Sequence, residues 1–131
     1  MLDIQRLEKS FGAKHAVRGV SFRLEKGTVL GFLGPNGAGK STTMRMIAGV
    51  LEPDGGDALI DGKSILTDRR EAQRALGYLP EGAPLYEDMT PPEFLVFMAS
   101  ARGMKGAVRK DGVERAIADA RISTVCDQRI G

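Results

Sequence analysis

The sequence has little of several residue types that mark special classes of protein. It carries one cysteine in 131 residues, so Cys126 has no partner for an internal disulfide and no neighbouring Cys or His at zinc-ligand spacing. This fits a reducing compartment. No apolar run approaches the roughly 20 residues that span a bilayer, and residues 1–10 alternate apolar and charged side chains, unlike a signal peptide. We therefore expect any association with a membrane to run through a partner.

Charge of one sign is also lacking. Nineteen Lys and Arg face 17 Asp and Glu, a net charge of +2, and no concentrated basic face accompanies it. Arg69 and Arg70 are adjacent but are flanked by Asp68 and Glu71. Duplex binding requires a clustered positive surface, so nucleic acid is not an expected partner. The chain length accommodates one domain or part of one and excludes a two-domain enzyme.

The hydrophobic pattern of the first part predicts a sheet with helices. Near-alternation predicts two half-buried strands, and two runs that are apolar on both faces predict buried strands of a parallel sheet. Apolar residues at three- and four-residue spacing, ending at Leu51, predict a helix of about three turns. The first predicted strand opens at Leu2 and is ended by Phe11-Gly12. The other predicted strands are 20–24, 28–33, 58–60 and 76–79, with a hairpin turn at Asp61-Gly62 and a short helix at 67–75.

The pattern after about residue 88 is helical. Thr90-Pro91-Pro92-Glu93 has the form of a capping box with prolines in the first turn, where proline lacks only amides that would be unbonded in any case. The helix that follows carries Phe94, Leu95, Phe97 and Met98. We expect Phe94, Phe97 and Met98 to form a local core. A second helix is predicted from Val108 to about Ala120. The expected fold class is therefore α/β followed by helices.

The segment Gly34-Pro35-Asn36-Gly37-Ala38-Gly39-Lys40-Ser41 matches the phosphate-loop pattern G-x-x-x-x-G-K-[ST]. Backbone amides of a glycine-rich loop at a helix N-terminus hold a polyphosphate closely. We expect Lys40 to reach the β- and γ-phosphates, Ser41 to bind Mg²⁺, and Thr42 and Thr43 to add an amide or a hydroxyl. A chance match would occur in roughly one such chain in a hundred. The candidate ATP-binding residues are thus Gly34, Pro35, Asn36, Gly37, Ala38, Gly39, Lys40, Ser41 and Thr42.

Beyond this loop the sequence resembles the ATP-binding cassette (ABC) nucleotide-binding domain of transporters. The resemblance is carried by LGPNGAGKSTTMRMIAGVLEPDGGDALIDG from Leu33 to Gly62, by KSFG before it and by GYLPE, Gly77 to Glu81, after it. It implies a phosphate-loop NTPase fold. Residues 1–87 would be the nucleotide-binding core, with the β-subdomain, the phosphate loop and the glutamine-loop position. Residues 88–131 would begin the helical subdomain and stop before the signature motif.

The resemblance also assigns two residues outside the loop. An aromatic residue after the first strand stacks on adenine in this family, and Phe11 matches that position, although a turn-adjacent core aromatic would look the same. The family's glutamine loop falls at Glu81, where a carboxylate can hold Mg²⁺ through water but cannot donate a hydrogen bond. With Glu at this position, the GYLPE segment resembles the branch of ABC ATPases that serves export-type permeases, which includes gliding-motility and multidrug cassettes.

Several catalytic parts of the family are not found in this sequence. The signature loop, the Mg²⁺-binding aspartate, the catalytic glutamate and the switch histidine have no match. The sole histidine, His15, is expected to be a surface residue in a loop with Lys14. No catalytic residue is therefore assigned. We expect the 131-residue chain on its own to bind ATP and Mg²⁺, to be poorly stable, and to hydrolyse ATP very slowly.

The resemblance implies an ATP-binding subunit that couples ATP binding and hydrolysis to transport. Its partners would be a transmembrane permease and a second nucleotide-binding domain, with a homodimer in the full-length protein. Its place would be cytoplasmic, peripheral to the inner or plasma membrane. Two alternatives stay open: a soluble ABC-type ATPase acting on ribosomes or nucleic acid, and a nucleotide-binding module without catalysis.

Overall fold

The computed structural model describes residues 1–82 and 85–131, which divide into two compact units, 1–78 and 79–131. The first unit is an α/β arrangement and the second is helical. Their elements, in chain order, are β1 Leu2–Phe11, β2 Lys14–Leu24, α1 Lys40–Ile47, β3 Gly55–Ile60, β4 Lys63–Ser64, α2 Arg69–Arg74, α3 Pro91–Ala101, α4 Gly106–Ala120 and a 3₁₀ turn at Ser123–Val125.

The sheet of the first unit has strand order β2-β1-β3-β4, and every pairing in it is antiparallel. The apolar faces of β1 and β3 and the inner face of α1 share one core. Helix α2 closes this core, and the Gln73 side-chain amide donates to the Ala48 carbonyl at 3.0 Å just past the end of α1. The core residues are Ile4, Leu7, Val17, Met46, Ile47, Ala58, Ile60, Ile65 and Ala72.

Two of the predicted strands are wrong. Residues 28–33 and 76–79 form no strand, and Val29, Leu33 and Leu79 are 98%, 94% and 82% exposed. Within the described residues, the one backbone hydrogen bond made by residues 28–33 runs from the Thr28 N–H to the Glu25 carbonyl at 3.3 Å. A strand requires a neighbour that bonds its backbone. No described strand pairs with either run, so the parallel sheet expected around them is absent from the described residues.

The first helix is also shorter than expected. It ends at Ile47 rather than near Leu51, because Gly49 takes a positive φ and the Val50 and Leu51 amides turn back to the Arg45 carbonyl. Leu51 still packs, half-buried, against the core. The β3–β4 hairpin at Asp61-Gly62 and the short helix α2 confirm the predictions for that region.

In the second unit, α3 begins with the predicted capping box. The Glu93 carboxylate accepts from the Thr90 N–H at 2.8 Å and from the Thr90 hydroxyl at 3.0 Å. Helix α4 buries Val113. The predicted local core is only partly correct: Tyr86 packs on Phe94 and Phe97, with ring centroids 6.3 and 5.2 Å away, but Phe97 and Met98 remain 42% and 39% exposed.

Candidate functional site: a phosphate loop at the start of α1

The loop of residues 34–39 connects residues 28–33 to α1 and is exposed along most of its length. Gly39 is the N-cap of the helix, with φ +87°, and no side chain caps the helix start. The first helical amides have no carbonyl one turn back to bond. Among the described residues, no backbone or side-chain group accepts a hydrogen bond from the amides of Gly37, Gly39, Lys40 or Ser41. The loop thus offers a row of unused donors.

Lys40 folds back over its own loop. Its ammonium donates to the Gly34 carbonyl and, at 2.8 Å, to the Pro35 carbonyl. A turn from the Ala38 N–H to the Pro35 carbonyl, 3.2 Å, shapes the same stretch. The one lysine of the loop is therefore held beside the unused amides, where its charge adds to the positive end of the α1 dipole.

Thr43 anchors the junction of loop and helix. It is 1% exposed, and its hydroxyl and its amide donate to the Gly39 carbonyl at 2.9 and 2.8 Å. Its hydroxyl is therefore engaged inside the protein, unlike the ligand contact considered for it from the sequence. Ser41 is exposed and Thr42 is half-buried on the first turn of α1.

The loop packs against strand β2 at Gly39, a contact that the sequence did not indicate. A Cβ on Gly39 would lie 2.3 Å from the Ala16 carbonyl oxygen and 3.2 Å from a Val17 methyl. Real Cβ atoms do not approach backbone oxygen this closely, so only glycine allows the loop to sit against β2. A cleft of about 360 Å³ lies beside this contact, lined by Val17, Phe32, Gly37 and Thr43 among others.

Phe11 lies at the end of β1, directly opposite Lys14 at the start of β2. The residue is 51% exposed, and the Lys9 ammonium lies 6.0 Å from the ring centroid. The core-aromatic interpretation of Phe11 is therefore wrong. Lys9 is itself held by Asp54 at 2.6 Å; its ammonium, followed by the Ser10 amide, holds the pKa of the Asp54 carboxyl below its usual range.

The structure also corrects the surroundings of His15. Lys14 and His15 belong to β2 rather than to a loop, and the His15 Nδ1 lies 2.9 Å from the Ser10 hydroxyl. His15 is exposed, as predicted. The sequence contained one signal for this hairpin end, since Gly12 can supply a tight turn that brings residue 14 opposite residue 11.

Glu81 belongs to the second unit, where it lies exposed in a turn. Among the described residues, no group of three His, Cys, Asp or Glu side chains could by itself hold a metal ion. In residues 1–82 and 85–131, every helix is too short or too polar to cross a bilayer.

Comparison of this chain with known proteins identifies the family to which it is similar. The model of the ABC transporter family matches residues 17–131. The linearmycin resistance ATP-binding protein LnrL of Bacillus subtilis is 38% identical over 115 residues, which cover 87% of this chain and 37% of that protein. The Nod factor export ATP-binding protein I of a Rhizobium species is 35% identical over 130 residues, 99% of this chain and 43% of that protein.

Solved structures share the fold. The ATP-binding subunit of an ABC transporter matches with a TM-score of 0.82 and 29% identity, over 98% of this chain and 54% of that one. An ATP-binding cassette dimer in a post-hydrolysis state with ADP and Pi matches with a TM-score of 0.79 at 18% identity. The chain spans less than half the length of these curated relatives. Sequence and structure together show that the chain belongs to the ABC transporter family, among its ATP-binding proteins.

Proposed function

We propose that the chain binds ATP with Mg²⁺ through residues 34–42 and serves an ABC transporter ATPase that couples ATP hydrolysis to transport. The observation that carries this proposal is the phosphate loop itself. The amides of Gly37, Gly39, Lys40 and Ser41 lack acceptors among the described residues, while the Lys40 ammonium is held beside them by the loop carbonyls. A polyphosphate satisfies all of these donors at once.

The loop chemistry suits the phosphates better than any other part of a nucleotide. Lys40 would exchange its two carbonyl acceptors for phosphate oxygens, so its positive charge would be neutralised rather than shared with neutral groups. Gly34 and Asn36 would contact the phosphates through their main-chain amides. Pro35 has no N–H, and the Ala38 amide already donates to the Pro35 carbonyl, so these two residues would shape the loop. This explains why the pattern constrains glycine positions more strictly than side-chain chemistry.

The donor set also fits Mg²⁺. A small hard cation takes oxygen ligands and keeps several waters, and Ser41 presents a hydroxyl on the first turn of α1, beside the phosphate-binding amides. When bound, the ion would neutralise charge on the β- and γ-phosphates. Glu81 is proposed as a further ligand through water, on the family resemblance of GYLPE.

Phe11 is proposed to stack on the adenine. Its exposed ring at the end of the β1–β2 hairpin supports this, because an aromatic side chain that stays in water has a free face for a base. The Lys9–Asp54 ion pair, with the Ser10 amide on the same carboxylate, fixes the strand on which the ring stands.

The relatives suggest the wider setting. One is named for linearmycin resistance, another for Nod factor export, and a solved neighbour is a dimer. We propose by analogy that this chain acts with a transmembrane permease and a second nucleotide-binding domain at the cytoplasmic side of a membrane, in an export-type system.

Equilibrium titration of the chain with a fluorescent ATP analogue, in the presence of Mg²⁺, tests the binding proposal. Lys40→Ala removes one charged hydrogen-bond donor, which is worth about 1.5–3 kcal/mol, and should weaken binding roughly 10- to 150-fold. Lys63→Ala, on the distant β3–β4 hairpin, is the matched control and should bind as the parent does. Equal affinities of the parent and Lys40→Ala would exclude the phosphate loop as the site.

A further inference from the structure

Lys14 is a second lysine at the phosphate loop, contributed by β2 rather than by the motif. Its ammonium lies 3.9 Å from the position that a Cβ on Gly37 would occupy. Apart from Gly37 and its chain neighbours, it is the one described heavy atom within 4 Å of that position. The side chain thus reaches from the β1–β2 hairpin to the middle of the loop.

The charge of Lys14 is uncompensated. In the part of the chain that the structure describes, no carboxylate lies within 4.0 Å of its ammonium. Lys9, on the facing strand, contrasts with it, because Asp54 binds the Lys9 ammonium at 2.6 Å. Lys14 and Lys40 therefore bring two positive charges to one loop that already presents unused amides. Such an arrangement is self-repulsive until an anion binds.

The hairpin places Lys14 beside the proposed adenine contact. Phe11 and Lys14 are direct cross-strand partners, and side chains of such partners project from the same face of a sheet. One hairpin end thus carries an exposed aromatic ring and a free ammonium. A nucleotide, with an aromatic base and a phosphate chain, has the two chemistries that this pair recognises.

We propose that Lys14 is a further phosphate-binding residue, whose ammonium acts with Lys40 on the phosphate chain and favours nucleoside triphosphates over monophosphates. The proposal rests on the proposed nucleotide-binding function and extends it to a residue outside the motif. Its effect is electrostatic, so it grows with the number of phosphate charges and weakens with added salt.

The test is a set of titrations with fluorescent analogues of ATP, ADP and AMP. Lys14→Met removes the charge and keeps most of the apolar stem. It should weaken ATP binding about three- to tenfold and AMP binding about twofold or less. Lys14→Arg keeps the charge and should stay within about twofold of the parent for ATP. Lys63→Met, at an exposed position of β4 in the same sheet, is the matched control and should change neither affinity.

The outcomes separate this proposal from the one on which it rests. If Lys40→Ala loses ATP binding while Lys14→Met binds ATP like the parent, only the role of Lys14 is refuted. Equal losses for ATP and AMP in Lys14→Met would also refute it, because they would indicate a distorted hairpin rather than a lost phosphate contact. If the parent chain binds no nucleotide, or Lys40→Ala binds as the parent does, both proposals fall.

Discussion

Gly39→Ala tests whether the loop is held in place by its close approach to β2. The new Cβ would lie 2.3 Å from the Ala16 carbonyl oxygen, and the backbone there has φ +87°. An L-residue at positive φ costs about 1–2 kcal/mol, and forcing a methyl group into packed backbone costs about 1–3 kcal/mol more. We therefore expect the free energy of unfolding to fall by about 2–5 kcal/mol.

Gly62→Ala is the control for that experiment. Gly62 has φ +79°, but apart from Gly62 and its chain neighbours no described heavy atom lies within 4 Å of the added Cβ. Only the backbone strain of about 1–2 kcal/mol therefore applies. Urea unfolding followed by circular dichroism at neutral pH compares the two variants. Gly39→Ala should have the lower midpoint, or be unfolded without urea. Equal midpoints would refute the claim that contact with Ala16 confines the loop to glycine.

Three further predictions concern other parts of the molecule. Val29 is 98% exposed, so Val29→Ser should change the free energy of unfolding by less than about 0.5 kcal/mol. Ile4 is 2% exposed, so Ile4→Ala should lower the free energy of unfolding by about 2–5 kcal/mol. Equal urea midpoints would contradict the assignment of Ile4 to the core and of Val29 to the surface. Phe11→Ala should weaken fluorescent-ATP binding about 5- to 150-fold and leave competition by tripolyphosphate unchanged; a loss for both ligands would contradict stacking. Hydrogen bonds from the Thr90 amide and, second, from the Thr90 hydroxyl lower the pKa of Glu93 below 4.5. The parent's free energy of unfolding should therefore exceed that of Glu93→Gln by its full amount above pH 4.5, and the difference should shrink as the pH falls through the folded-state pKa. A difference that persists in acid would contradict the capping role.

The local elements were largely predictable from the sequence. Alternating residues located β1, which ends at Phe11 as predicted, but only the second half of β2, which begins at Lys14. The Asp61-Gly62 turn marked the β3–β4 hairpin, and Thr90 and Glu93 marked the start of α3. These features depend on contacts between residues close in the chain. Turns and helix caps are determined by a few consecutive residues, so they can be identified without knowing the rest of the fold.

The two buried strands could not be judged from the sequence. An apolar run indicates that a segment suits a buried strand. A strand also requires a partner that bonds its backbone, and no described strand pairs with residues 28–33. The same limit applies to the end of α1. Its apolar spacing continued to Leu51, while the positive φ of Gly49 ended the helix earlier.

In the candidate site, too, features set by neighbouring residues were predictable and features set by long-range packing were not. The loop residues followed from a short contiguous pattern. The roles of Lys14 and Ala16 could not be predicted in this way, because these residues contact the loop only where β2 packs against it. The environment of Thr43 was likewise a matter of packing, since its hydroxyl turns inward to the Gly39 carbonyl.

The most direct test of nucleotide binding by the phosphate loop is the response of individual backbone amides to ATP with Mg²⁺, followed by ¹H–¹⁵N nuclear magnetic resonance of the labelled chain. We predict the largest shifts at the amides of Gly37, Gly39, Lys40 and Ser41, which lack acceptors among the described residues, and little change at β3 and β4. At an ATP concentration near the parent's Kd, these shifts should be much smaller in Lys40→Ala. Saturable shifts confined to other regions, with the loop amides unmoved, would contradict binding at the loop.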